Sequence, residues 1–182
     1  MIAKRFAAVA GGVLAICFAG AAVAADSATP EEVMVKVREA ASFLHQKGAS
    51  GFAEFNNSAS RWVWKDSYVF VYDCRMDRVV AHPFRPDLVG QSIAEIKDNS
   101  GKFIFRELCK AGNGPKGGWV DYMWTKPGAG NLSRKVSYAR SVDVAFSSGI
   151  QVSAGVYDDK VSLGELQKAL DKISDPTRYP SP

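Results

Sequence analysis

Between residues 67 and 157 the sequence breaks into five short runs rich in β-branched and aromatic side chains, at 67–74, 78–82, 119–125, 135–142 and 149–157. Turn chemistry separates them: Arg75-Met76-Asp77, then Gly112 to Gly118, then Lys126-Pro127-Gly128, then Asp and Ser residues. The strands are flanked by two stretches of helical period. Thr29-Pro30-Glu31-Glu32 offers an N-cap hydroxyl, a proline at the first helical position and a capping-box glutamate, and Val33, Val37, Ala40, Ala41 and Leu44 recur at helical spacing up to Gly48. Ser162 to Glu165 offers a second capping box ahead of Leu166, Ala169, Leu170 and Ile173. A third stripe, Ile104, Phe105, Leu108 and Cys109, falls between the second and third strands. One chain of 182 residues holds one core of this kind. The pattern predicts a single α+β domain with a five-stranded antiparallel sheet.

The first 25 residues precede that pattern. Lys4 and Arg5 lead an uncharged run, Phe6 to Ala25, that ends in small residues spaced for a signal peptidase. We read residues 1–25 as a signal peptide cleaved near Ala24 or Ala25, and residues 26–182 as one ligand-binding domain with its core at about 29–174 and a polar tail. That address is periplasmic or secreted. Two alternatives stay open: an uncleaved anchor helix, since about 20 residues span a bilayer, and a lipoprotein, since Leu14-Ala15-Ile16-Cys17 approaches a lipobox although Ile16 stands where a small residue belongs. Losing Lys4 and Arg5 lowers the basic count of 23 by two, against 19 acidic residues. This near balance, without any basic run, argues against nucleic acid as a partner.

Cys74 and Cys109 remain in the mature chain, and an oxidising compartment favours their pairing as a disulfide. Free thiols or a metal pair are the competing readings. The chain holds only His45 and His82 as further soft ligands and no C-x-x-C, so no metal or cofactor is expected. It also lacks a G-x-S-x-G elbow, and the adjacent Asp158 and Asp159 point apart on an extended chain, so a catalytic function is not expected.

Strand alternation sorts the faces. Tyr68, Phe70, Tyr72 and Cys74 share one face opposite Val69 and Val71; a bridge from Cys74 to Cys109 sets the 104–109 helix over the tyrosine side and leaves the valines to the N-terminal helix. Val120, Tyr122 and Trp124 share a face, as do Lys135 and Ser137. In the last strand, Ile150, Val152, Ala154 and Val156 suit the helix side, while Gln151, Ser153 and Gly155 leave room for a ligand. A carboxylate needs a cation and hydroxyl or indole donors in a partly apolar cavity. Lys135, Arg140, His82, Tyr122, Trp124, Tyr68 and Tyr72 supply those types. Each of them also has a structural reading, as a core aromatic, a solvated lysine or a strand-end histidine; only the constellation points to a pocket.

The order "VFVYD", "VVAHP", "PDLVGQSI", "KDNSGKFIFREL", "GGWVDYMWTKPG", "RKVSYARSV" and "AGVYDD" resembles the single Cache domain (type 2), the extracytoplasmic sensor module of bacterial chemoreceptors and sensor kinases, over residues 29–172. The resemblance implies a PAS-like fold, with the long N-terminal helix on one sheet face and a small-molecule pocket on the other. It further implies a ligand such as a short carboxylate and a signal passed to a membrane sensor protein, and it places Tyr122, Trp124, Lys135, Tyr72 and His82 highest as contacts, with Tyr68 beside them. No second membrane-spanning run and no signalling domain follow the last helix, so the expectation is a free-standing exported member. The alternative is a protein-docking module whose pocket has degenerated.

Overall fold

A computed structural model describes residues 27–145 and 147–173. The signal peptide, its cleavage site, the lipobox and the polar tail lie outside the described residues.

Helix α1 (Pro30–Lys47) starts on the predicted capping box: the Thr29 hydroxyl accepts from Glu32 N at 3.3 Å, and the Glu32 carboxylate accepts from Thr29 N at 3.0 Å. It ends at Gly48, whose φ of +63° suits a residue without a Cβ. Val33, Val37, Ala40, Ala41 and Leu44 are fully buried. Each Val or Leu so removed from water stabilises the fold by about 1.5–3 kcal/mol relative to exposure. A 3₁₀ segment (Gly48–Asn56) then returns the chain to the sheet.

The sheet runs in the order β4-β3-β7-β6-β5, every pair antiparallel: β3 (Phe70–Asp73), β4 (Arg78–Ala81), β5 (Gly118–Thr125), β6 (Leu132–Ser141) and β7 (Ile150–Val156). The last strand in sequence is therefore the central one, and all seven of its residues are buried. Ile150, Val152, Ala154 and Val156 join the α1 cluster together with Val69 and Val71, as alternation predicts. On the opposite face, Tyr68, Phe70, Tyr72, Val120 and Tyr122 pack with Ile104, Phe105 and Leu108 of α2 (Ile104–Gly112). The Cys74–Cys109 disulfide ties α2 to the end of β3 across a Cα–Cα distance of 5.9 Å. Helix α3 (Leu163–Asp171) opens on Ser162, whose hydroxyl accepts from Glu165 N, and inserts Leu170 into the α1 side.

Two details differ from the sequence reading. The 67–74 run is two strands, because Ser67–Tyr68 (β2) pairs with Val63–Trp64 (β1) across a tight turn at Lys65, whose φ is +48°. Alternation also fails in β4: Ala81 faces Val71 while Val79 faces Tyr72, so Val80 is an extra residue in a β-bulge.

Candidate functional site

The sheet face under α2 carries a small, partly open cavity. Tyr68, Phe70, Tyr122, Trp124, Lys135 and His82 form its floor and sides, and Ile104 and Phe105 of α2 cover it. It measures about 10 Å³, room for roughly one water molecule.

Lys135 is the side chain that least resembles core packing. It pairs directly across from Tyr122 in the β5–β6 register, so its side chain rises on the same face, and it is fully buried. Its Nζ lies 3.8 Å from the centre of the Tyr68 ring, 5.0 Å from that of Phe70 and 5.2 Å from that of Tyr157. Nζ makes no hydrogen bond among the described residues. Burial pushes its pKa well below the ordinary lysine range, and the Asp66 carboxylate pulls weakly the other way. Gly155 on β7 gives the lysine stem its space. A Cβ there would stand 3.0 Å from Lys135 Cε and 2.7 Å from Val136 O, and would collide with Ser137 Oγ.

His82 reaches the cavity because of the bulge. With strict alternation from Val79 it would face α1; the extra residue turns it to the α2 side instead. Its Nδ1 accepts from Phe84 N at 3.2 Å and Arg85 N at 3.0 Å, and its backbone N–H donates to Asn56 Oδ1 at 3.0 Å. Two amide donors on one nitrogen leave the ring proton on Nε2. Burial, then the positive charges of Lys135 and Arg85, lower its pKa to about 3, so the ring is neutral at physiological pH. The Tyr122 hydroxyl shares a hydrogen bond with Ser137 Oγ at 2.9 Å, and the Tyr68 hydroxyl meets that of Tyr157 at 3.4 Å. Burial pushes both phenols up, Tyr68 to about 12, so both keep their protons as donors.

Outside this chamber, and sharing Tyr68, His82 and Trp124 with it, is an open cleft of about 410 Å³ between Phe84-Arg85 and the turn at residues 125–130. Its two cations are already paired. The Arg85 guanidinium binds Asp87 in a fork at 2.8 and 2.7 Å, and Lys126 Nζ lies 2.8 Å from Asp66 Oδ2. The arrangement is chemically simple: one buried, unpartnered basic nitrogen and several hydroxyl and ring N–H donors inside apolar walls, next to a solvent-open vestibule. Such a set of groups is chemically suited to a small group that is anionic at one end.

Five of the six ligand candidates, Tyr68, His82, Tyr122, Trp124 and Lys135, line this one cavity. Tyr72 lies on the same face but not at the cavity; its hydroxyl donates to Gln151 Oε1 at 3.0 Å, and Gln151 Nε2 in turn donates to Cys109 O and Asn113 Oδ1. That network fastens α2 to the sheet. Arg140 stands an odd number of residues from Lys135, and its neighbours Tyr138 and Val142 pack on the α1 side, away from the cavity. Ile104, Phe105 and Arg85 complete the site without having been singled out. The helical stripe that buries Ile104 and Phe105 was a usable signal; Arg85, in a loop, had none. Among the described residues no group of three or more His, Cys, Asp or Glu side chains is placed to hold a metal, and no helix is long and apolar enough to cross a membrane.

Comparison with known proteins points the same way. The chain is 31% identical over 96 residues to the methyl-accepting chemotaxis protein McpP of Pseudomonas putida, and 35% identical over 100 residues to the sensor histidine kinase MctS of Rhizobium johnstonii; each match covers 53% of this chain. The matched regions span only 17% and 20% of those relatives. A solved Cache chemosensory domain, described for its recognition of carboxylic acids, superimposes with a TM-score of 0.55 at 28% identity, covering 71% of this chain and 92% of that one. The sequence pattern described as single Cache domain 2 matches residues 13–163. With that match and an antiparallel sheet carrying its cavity under α2, the chain belongs to the single Cache domain 2 family of sensor domains.

Proposed function

We propose that this protein is an exported, non-catalytic sensor domain that binds a short organic acid through its carboxylate at Lys135 and passes its occupancy to a membrane chemoreceptor or sensor kinase. On this reading residues 1–25 are a cleaved signal peptide and residues 26–182 are one ligand-binding unit. One observation carries the reading: Lys135 is fully buried with its Nζ unpartnered among the described residues. A buried ammonium without an acceptor destabilises the fold, and a ligand carboxylate supplies the missing partner. Tyr122, Tyr68 and the His82 Nε2–H are the accompanying donors, and Phe70, Ile104, Phe105 and Trp124 take the apolar end. The related domain that recognises carboxylic acids supports the ligand class.

A second reading, a docking module with a degenerate pocket, has one observation in its favour: the inner cavity of about 10 Å³ is too small for any carboxylate as it stands. On the sensor reading the bound form is therefore more open, at the expense of the wall shared with the outer cleft. A thermal-shift screen of the purified protein against short carboxylates, amino acids and amines separates the two, since a ligand that binds only the folded state raises the melting midpoint. A carboxylate shift that Lys135→Met abolishes supports the sensor; a flat response across the panel, with a cooperative melt, favours docking.

A further inference from the structure

Resting on the carboxylate reading of this site, we infer that binding is coupled to protonation: the ligand anion enters the cavity together with one proton from solvent, and Lys135 Nζ accepts it. The free amine and the anion thereby become a carboxylate–ammonium pair: one N–H bond forms at Lys135, and the bond that held the proton in a hydronium ion or buffer acid breaks.

The geometry leaves little choice. In the unliganded cavity an ammonium on Lys135 would be a buried charge without a counter-ion. The Tyr68 face at 3.8 Å attracts it but offers no acceptor in the plane of a hydrogen bond, and Phe70 and Tyr157 add only further rings. The carboxylate whose field reaches Lys135 is Asp66, which lies 2.8 Å from Lys126 Nζ and accepts from Ala28 N at 2.8 Å. An anion arriving alone beside a neutral amine would itself be a buried, unbalanced charge. Arriving with a proton, it brings no net charge into the cavity.

The other titratable groups that face Lys135 cannot take that proton. His82, after β4, has its Nδ1 lone pair held by two backbone amides, which protonation would break. Tyr68 on β2, Tyr122 on β5 and Tyr157 after β7 already carry their protons, and burial holds them there. Arg85 is a cation in a fork with Asp87. From α2 the cavity receives only Ile104 and Phe105, which do not titrate. The consequence is a sensor whose apparent affinity depends on the product of carboxylate and proton activities. Affinity falls with rising pH between the free-state and the bound-state pKa of Lys135, and is independent of pH below the free-state value.

The test is isothermal titration calorimetry of the protein with acetate, butyrate and succinate, each in buffers of low and high ionisation enthalpy. For whichever acid binds, the observed enthalpy is expected to change with buffer in proportion to an uptake approaching one proton, and Kd to rise by up to tenfold per pH unit across the interval between the free-state and bound-state pKa of Lys135. His82→Asn, which keeps a side-chain acceptor for the Phe84 and Arg85 amides but loses the Nε2–H donor, is expected to bind more weakly and still to take up about one proton per acid bound. Binding with a buffer-independent enthalpy and a flat Kd overturns the inference while leaving the carboxylate site standing. Uptake lost in His82→Asn, with binding retained, also overturns it, by assigning the proton to the histidine. No binding of any of the three by a folded protein removes the carboxylate reading itself, and the inference with it.

Discussion

Replacing Lys135 with methionine should stabilise the unliganded protein while abolishing ligand binding. The side chain is fully buried, its Nζ lacks a hydrogen-bond partner among the described residues, and its stem runs along the rings of Tyr68, Phe70 and Tyr157. Methionine has nearly the same length and packs well against aromatic faces. It removes the polar end, whose unsatisfied burial costs about 1–3 kcal/mol. In a domain of this size each kcal/mol moves the midpoint by about 2–4 °C, so Tm should rise by roughly 2–12 °C. The gain also has a pH signature. Because burial holds the folded-state pKa below that of the unfolded chain, the unfolded state binds more protons in the interval between them, and wild-type stability rises with pH across it. The advantage of Lys135→Met is therefore largest at and below the folded-state pKa and shrinks as pH climbs toward the ordinary lysine range. Calorimetric melts at three pH values measure both the sign and the trend. A variant less stable than wild type by more than about 1 kcal/mol would show that the aromatic contacts of the lysine hold the fold together, and would refute the argument that the site stores an unmet interaction.

Three other perturbations probe how the site is built. Gly155→Ala places a methyl group against Ser137 Oγ and the Lys135 stem on the central strand, and should lower stability by about 1–3 kcal/mol in a urea melt; a neutral result would mean the strand shifts freely. Removing the disulfide with Cys74→Ser and Cys109→Ser together should cost about 3–4 kcal/mol, given a loop separation of 35 residues, and reductant should affect wild type but not the double variant. His82 is neutral in the folded protein down to about pH 3, while the unfolded residue protonates near 6.5, so the unfolded state binds the extra proton in that window and wild-type stability falls as pH drops through it. His82→Asn should flatten that part of the acid-side loss in urea midpoints at pH 7 and 5, and an unchanged slope would place the acid sensitivity elsewhere.

The regular parts of this molecule were legible because they obey period. Alternation put Tyr68 and Phe70 beneath α2 and Val69 and Val71 beneath α1, and it placed Lys135 and Ser137 together with Gly155 behind them. The same rule separates Arg140 from Lys135, so a cation offered on residue type alone could have been dismissed on spacing. The order of the strands was not legible. Nothing in Ile150–Val156 says that β3 and β6 flank it, because pairing across such distances depends on the whole sheet rather than on a local pattern.

The departures from local rules are concentrated at the cavity, and for a physical reason. A site must expose polar groups to a ligand inside a surface that would otherwise bury only apolar ones, so it is assembled where a local rule is broken. Val80 breaks alternation, and the bulge that results is what turns His82 toward Lys135 instead of toward α1. Gly155 breaks the β-branched habit of a central strand, and the missing methyl is what admits the lysine stem. Lys135 breaks the most general rule, that a buried basic side chain is paired, and among the described residues no hydrogen-bond partner answers its Nζ. Each departure lowers stability when taken alone. Together they converge on one point, the nitrogen of Lys135, and that convergence is better accounted for by a missing anion than by three unrelated defects.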